Sequence, residues 1–168
     1  FIAAKRDDLV SLLPQVLTTV RYLLDMNEVG QAKRLFGNLG LLDPLWSSEN
    51  RTKFLLLESS FAALDGNSGV EESKLMEALE NDPTEGEALV RLGSIHAGRG
   101  EKAKAMFFFE RAYTSEKHEY DALILASEIL IESRRFGESL DLLQRALNRQ
   151  PTSELKLLID QVKAAALQ

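Results

Sequence analysis

Apolar and small residues between positions 88 and 112 recur at the spacing of an α-helix. A first face combines apolar residues with a glycine and a histidine: Leu89, Leu92, Gly93 and His96. These positions follow the i, i+3, i+4, i+7 order of one helical face. After the break at Gly98-Arg99-Gly100, a second face has the same kind of spacing: Ala105, Phe109 and Ala112. The stretch is therefore predicted to form two short amphipathic helices joined by a tight turn.

The same pattern recurs 34 residues later and, less completely, before it. The later positions are Leu123, Ala126, Ser127, Leu130, Ser139, Leu143 and Ala146. The positions 34 residues earlier are Leu55, Ser59, Ala62, Leu75 and Ala78, but Glu58 occupies an apolar position there and Glu71 a small one. A unit further upstream is Val16, Thr19, Val20, Leu23, Ala32, Phe36 and Leu39, offset by five more residues. We assign the five extra residues to a loop at Ser47–Arg51. Internal repetition of this length is typical of stacked helical repeats.

Proline positions support the same register independently. Pro83 and Pro151 are separated by 68 residues, twice the repeat, and Pro44 follows Leu39 at the distance at which Pro83 follows Ala78. Proline is tolerated at helix starts and not in helix interiors, so these residues indicate boundaries between hairpins.

With these motifs the chain resembles the tetratricopeptide repeat family. The resemblance rests on the 34-residue period, the Leu92-Gly93 pair, the Ala105, Phe109, Ala112 series and the closing proline, and it covers residues 13–153. It implies an all-α fold, a right-handed superhelical array of about four helix–turn–helix hairpins in a single domain, 1–168. The expected repeats are 13–46, 52–85, 86–119 and 120–153. The amphipathic segment 154–167 is expected to be a capping helix, because terminal repeats need their apolar face covered.

In such a family the first helices line a concave groove that binds a protein or peptide, so the resemblance implies a non-catalytic scaffold that assembles a protein complex. A helical wheel places three columns beside the core face. The two apolar columns are Leu17, Leu56, Val90, Ile124 and Leu24, Ala63, Ala97, Ile131. The polar column between them is Arg21, Ser60, Ser94, Glu128. Two interpretations stay open: the apolar columns pack one first helix on the next, or they form a groove for an amphipathic helix or an extended segment.

Other functions stay open beside the scaffold. One is a secretion-type chaperone that holds a client protein; another is a repeat module of a larger membrane-anchored protein or enzyme. A free-standing enzyme is the least favoured. The family members that clamp the C-terminal carboxylate of heat-shock chaperones use Lys and Asn, whereas the polar column here contains no Asn and ends in Glu128. That ligand is therefore not predicted.

Charge and composition exclude several partners. The net charge is −6 and the pI is about 5.1, which disfavours nucleic acid. There is no cysteine and no apolar run long enough for direct membrane insertion, and neither metal nor cofactor is expected. The first residue is Phe1, so the chain is interpreted as a domain or a processed product. Compartment (cytoplasmic or periplasmic) and homo-oligomer formation stay open.

Four side chains need individual interpretation. His96 is expected to be a packed, hydrogen-bonded core residue, and His118 a solvated turn residue. Glu58 is expected to remain in water through a local helix shift, since a buried carboxylate needs a partner. Phe107 is predicted to pack on the next hairpin, with an exposed contact surface for a partner as the alternative.

Overall fold

The computed structural model describes residues 2–37, 39 and 47–167. Within these residues all regular structure is helical, so the predicted all-α class is confirmed. The helices are α1 (Ile2–Asp25), α2 (Val29–Phe36), α3 (Ser48–Leu64), α4 (Ser68–Asn81), α5 (Gly86–Gly98), α6 (Lys102–Ala112), α7 (Glu119–Glu132), α8 (Phe136–Arg149) and α9 (Ser153–Ala165). Consecutive helices pack in pairs, α1 with α2, α3 with α4, α5 with α6 and α7 with α8.

The four turns inside these pairs share one backbone conformation. Each has a single residue in the left-handed region: Asn27 (φ 61°), Gly66 (φ 71°), Gly100 (φ 74°) and Arg134 (φ 56°). In each turn the following N–H donates to a carbonyl five residues earlier, as in Glu101 N to His96 O at 2.9 Å and Arg135 N to Leu130 O at 2.8 Å. This is the Schellman arrangement, which satisfies the last carbonyls of the preceding helix. The repeat is therefore present in backbone hydrogen bonding even where side chains diverge.

The chain divides into two compact units, Phe1–Pro83 and Thr84–Gln168. In the first unit α3 packs against both α1 and α4, so it is buried around much of its circumference. Its core combines aliphatic residues of α1 with aromatic rings of α2 and α3. Phe36 stacks on Phe54 with ring centroids 4.6 Å apart, and Phe61 lies 4.9 Å from Phe36. These contacts join α2 to α3.

In the second unit the side chain of Phe109, on α6, is fully buried. A Cβ atom on Gly93 would lie 2.4 Å from Cε1 of the Phe109 ring. Glycine at 93 therefore allows α5 and α6 to approach closely around that ring. Ala105 and Ala112 are also fully buried, which confirms the predicted second face.

Two sequence expectations about the first unit are wrong. Ser47–Arg51 is not a loop: Ser47 is the N-cap of α3, its side chain accepts from Asn50 N at 3.3 Å, and Ser48–Arg51 is helical. Serine is a preferred N-cap residue, so this run starts a helix. Glu58 is not left in water, because it is half-buried and its carboxylate lies 2.9 Å from Lys74 Nζ. The α4 lysine supplies the partner that a partly buried carboxylate requires.

Two of the prolines used to place the repeats lie between helices, as expected. Pro83 lies between α4 and α5, and Pro151 between α8 and α9. Pro44 is outside the described residues, and Pro14, which was not used for the register, lies inside α1. The two hairpins of the second unit, α5 to α8, therefore begin after one of these prolines and end before the other, as predicted.

The last helix begins at Ser153, two residues after Pro151. Thr152 caps α9 by accepting from Leu155 N at 3.2 Å. The apolar face of α9 packs in the core of the second unit through Leu155, Ile159 and Val162. This packing agrees with a capping role for α9, while the repeat limits remain predictions.

Candidate functional site

An open cavity of about 460 Å³ lies in the second unit between α5, α7 and α9. Its walls are mainly apolar, and two carboxylates stand among them. The lining residues are Val90, Tyr120, Asp121, Ile124, Leu125, Thr152, Glu154, Leu155 and Leu158. Val90, Ile124 and Leu158 are only half-buried, so their apolar surface is accessible. The cavity has the size and the mostly apolar lining that ligand-binding clefts in proteins show.

A smaller cavity of about 170 Å³ adjoins it and shares Leu125. Its lining comes from α5, α6 and α7: Ser94, Ala97, Lys102, Phe109, Leu125, Glu128, Ile129 and Glu132. Asp121, Leu125, Glu128 and Glu132 follow i, i+4, i+7, i+11, which puts them on one stripe of α7. At 1.5 Å per residue the stripe is about 16 Å long. We call the two cavities together the α7 groove.

The structure brings together part of the predicted site. Val90 and Ile124 line the larger cavity, and Ser94 and Glu128 line the smaller one. The Ser94 hydroxyl donates to Val90 O at 3.0 Å, so its polar atom is already held by its own helix. Ile131 lies elsewhere, half-buried against the core formed by α7, α8 and α9.

The predicted residues of the first unit are mostly packed. Leu17 is 2% exposed and Leu56 is 5% exposed, so neither offers apolar surface to a partner. Leu24 is half-buried against the core of α1, α2 and α3. Arg21 and Ser60 are intermediate in exposure, and the Ser60 hydroxyl donates to Leu56 O at 2.9 Å. In this unit the structure supports the packing interpretation for the first apolar column.

Sequence reasoning missed the α9 wall and much of the α7 contribution. Leu158 and Glu154 lie on α9, in the segment that the sequence predicts as a capping helix. Leu125 is next to the predicted Ile124, and the run Leu123-Ile124-Leu125 is longer than one buried face requires. That excess of apolar residues was the available signal. The helix that these apolar residues contact depends on where α9 packs, which the local sequence does not show.

The histidines have packing roles. His96 is 6% exposed, its Nδ1 lies 2.8 Å from Glu101 Oε2, and its ring stacks on Phe108 at 5.4 Å, so the expected packed ring is confirmed. Hydrogen bonds from Lys104 and His96 hold the pKa of Glu101 below its usual value. His118 is not simply solvated: a Cβ on Gly86 would lie 2.8 Å from its Cδ2, so its ring packs over that glycine.

Phe107 lies at the surface, contrary to the favoured expectation. Its side chain is 55% exposed, with its ring 5.3 Å from Phe108 in an edge-on contact. The Arg111 guanidinium is 5.5 Å from the ring centroid, within the range of a cation–π contact. The alternative of an exposed apolar side chain therefore describes this position.

The described part of the chain contains no group of three or more His, Asp or Glu side chains placed to hold a metal ion. None of the helices in the described residues is both long enough and apolar enough to cross a membrane.

Comparisons with known proteins identify the fold. No protein-family model matches the chain, and no curated protein sequence matches it significantly. Among solved structures, PilF of Pseudomonas aeruginosa superposes with a TM-score of 0.72 at 11% identity, covering 94% of this chain and 69% of that one. A thermophilic TPR protein from Thermus thermophilus gives 0.62 at 16% identity, with 97% and 93% covered. YrrB, a TPR protein with an unusual peptide-binding site, gives 0.60 at 17% identity, with 94% and 81% covered. The chain therefore has the all-α helical-repeat fold of tetratricopeptide proteins.

Proposed function

We propose that the chain is a non-catalytic scaffold that binds a segment of a partner protein in the α7 groove. The observation that carries the proposal is the 460 Å³ cavity, in which Val90, Ile124 and Leu158 from three helices present accessible apolar surface. An apolar side chain of a partner would fill this cavity. It would remove its own apolar surface and that of the cavity walls from water, which is the main favourable term in most protein associations. Peptide binding by YrrB, which shares the fold, supports the same class of function.

The shape of the groove favours a polypeptide as the ligand. The larger and the smaller cavity share Leu125, and both are lined by residues of α7, whose stripe is about 16 Å long. An extended chain rises about 3.3 Å per residue, so about five residues would occupy this length. One side chain would enter the larger cavity, and the following residues would lie along α7 past Leu125 and Glu128.

Placing a charge in the cavity is expected to weaken partner binding. We expect Ile124→Glu or Val90→Glu to reduce affinity at least about tenfold, about 1.4 kcal/mol, because a carboxylate there must be desolvated against apolar neighbours. Both side chains are half-buried, so circular dichroism should remain helical. The measurement is a pull-down from native lysate with quantitative mass spectrometry, followed by titration of the captured partner.

Phe107→Glu is the matched control, because it adds the same charge on the exposed surface of α6. A partner that is lost with Ile124→Glu and Val90→Glu but retained with Phe107→Glu supports the proposal. Equal capture by all three variants would show that partners bind elsewhere. Loss only with Phe107→Glu would place binding on the α6 surface.

A further inference from the structure

The α7 groove carries negative charge that the protein does not neutralise. Asp121 and Glu154 line the larger cavity and Glu128 the smaller one, and all three are exposed. None of the three has a salt-bridge partner among the residues that the structure describes. The fourth acid of the groove, Glu132, is different, because its carboxylate lies 3.1 Å from Lys102 Nζ.

Several other acids of the same unit are ion-paired. Glu119 contacts both Arg145 and Arg149, Glu138 contacts Arg135, and Glu101 contacts Lys104. The α7 helix itself contains no Lys or Arg, and none lines the larger cavity. Negative charge is therefore concentrated beside the accessible apolar surface of the larger cavity, while Lys102, which lines the smaller cavity, is paired with Glu132. Such charge attracts a partner of the opposite sign and disfavours an acidic one.

The three acids lie close to the apolar residues of the larger cavity. Asp121 and Glu128 lie one turn before and one turn after Ile124 and Leu125, and Glu154 faces them from the first turn of α9. A side chain inserted between Val90, Ile124 and Leu158 therefore brings the neighbouring residues of its segment close to three carboxylates. Lysine or arginine at those neighbouring positions would form ion pairs, with an apolar stem lying over the cavity rim.

We propose that the partner segment combines a large aliphatic or aromatic anchor with Lys or Arg on both sides of it. This deepens the proposed function and rests on it. A second copy of this chain is a poorer occupant, because the chain itself carries a net charge of −6. The ion pairs would be solvent-exposed, so they add selectivity and association rate to an affinity that the anchor supplies.

A random peptide library displayed on phage tests this proposal against the whole chain. Wild type and Ile124→Glu are selected in parallel. We expect wild type to enrich peptides that have an apolar anchor flanked by Lys or Arg, and Ile124→Glu to enrich none of them. The affinity of the most enriched peptide is then measured by fluorescence anisotropy, and it should fall as salt rises because exposed ion pairs are screened.

Amide substitutions test how much the groove carboxylates contribute to peptide binding, because they remove the charge and keep the size of the side chain. The triple variant Asp121→Asn/Glu128→Gln/Glu154→Gln should bind that peptide about tenfold more weakly at low salt, since three exposed ion pairs are lost. The matched control Glu116→Gln/Asp141→Asn/Asp160→Asn removes three exposed acids elsewhere in the unit and should bind like wild type.

The outcomes distinguish the two proposals. Ile124-dependent enrichment without a Lys or Arg excess, or an unchanged affinity in the groove triple variant, would overturn the basic-partner inference while leaving the groove as a binding site. Identical selections on wild type and Ile124→Glu would contradict the proposed function as well. Concentration-dependent self-association that Ile124→Glu abolishes would identify a second copy as the occupant and overturn the inference.

Discussion

Replacing Gly93 by leucine is expected to lower the free energy of unfolding by about 3 kcal/mol, the upper part of the range for overpacked cores. Even a single Cβ at this position would lie 2.4 Å from Cε1 of Phe109, 2.6 Å from Cδ1 and 2.8 Å from Cζ. The Phe109 ring is fully buried, so it cannot move aside into solvent. Denaturant titration followed by circular dichroism measures the loss.

Gly98→Leu is the matched control in the same helix. A Cβ at Gly98 would have no atom within 4 Å, and leucine is the better helix former. This variant should be as stable as wild type or slightly more so. A second check is coupling: Gly93→Leu and Phe109→Ala should together cost less than the sum of the two single changes, because the smaller residue makes room for the larger. Equal stabilities for Gly93→Leu and Gly98→Leu would contradict the close α5–α6 contact.

Replacing Glu119 by glutamine is expected to cost about 2 kcal/mol at neutral pH, the range for hydrogen bonds to charged groups. Glu119 begins α7 and is 5% exposed, and its carboxylate accepts from Arg145 Nε at 2.7 Å and also contacts Arg149. Arg145 also lies 5.1 Å from the Tyr113 ring centroid. The acid therefore fixes the start of α7 to the second half of α8, and the amide cannot hold both guanidinium groups.

The cost should depend on pH with a definite sign. Burial alone would raise the pKa of Glu119, but hydrogen bonds from Arg145 and Arg149 outweigh it and lower the pKa below the ordinary 4.5. A lowered pKa stabilises the fold above the ordinary value, and that stability is lost as pH falls through the folded-state pKa. Urea titrations should thus show a larger difference between wild type and Glu119→Gln at pH 7 than at about pH 3, which is below the ordinary pKa of the carboxyl group. An equal difference at both pH values would contradict this account; Glu116→Gln, at an exposed turn residue, is the control.

The fold was predictable from sequence because its determinants recur locally. Small residues at Gly93, Ala105 and Ala112 and the large Phe109 have the spacing of two facing helices, and all are buried. The equivalent small positions in neighbouring hairpins, Ser59 and Ser127, are fully buried too, each with its hydroxyl donating to a carbonyl three residues earlier at 2.7 Å. Helical periodicity records which residues face a partner helix, and that information survives sequence divergence.

What the sequence did not predict depends on contacts between distant segments. The pairing of Glu58 with Lys74 and of Glu119 with α8 joins residues of different helices, and no local pattern marks such partners. A helical wheel likewise gave Leu17 and Val90 equivalent positions, yet Leu17 is packed while Val90 lines a cavity. Whether a column beside the core face is buried depends on the helices that pack next to it. In the second unit, α9 supplies one wall of the α7 groove.

Amide hydrogen exchange of the whole chain, alone and with its captured partner, tests the central claim most directly. A partner in the α7 groove should protect amides in α5, α7 and the first turns of α9, because binding suppresses the local opening that exchange requires. Ile124→Glu should remove that protection at equal partner concentration. Protection confined to α6 around Phe107, with α5, α7 and α9 unchanged, would contradict the account.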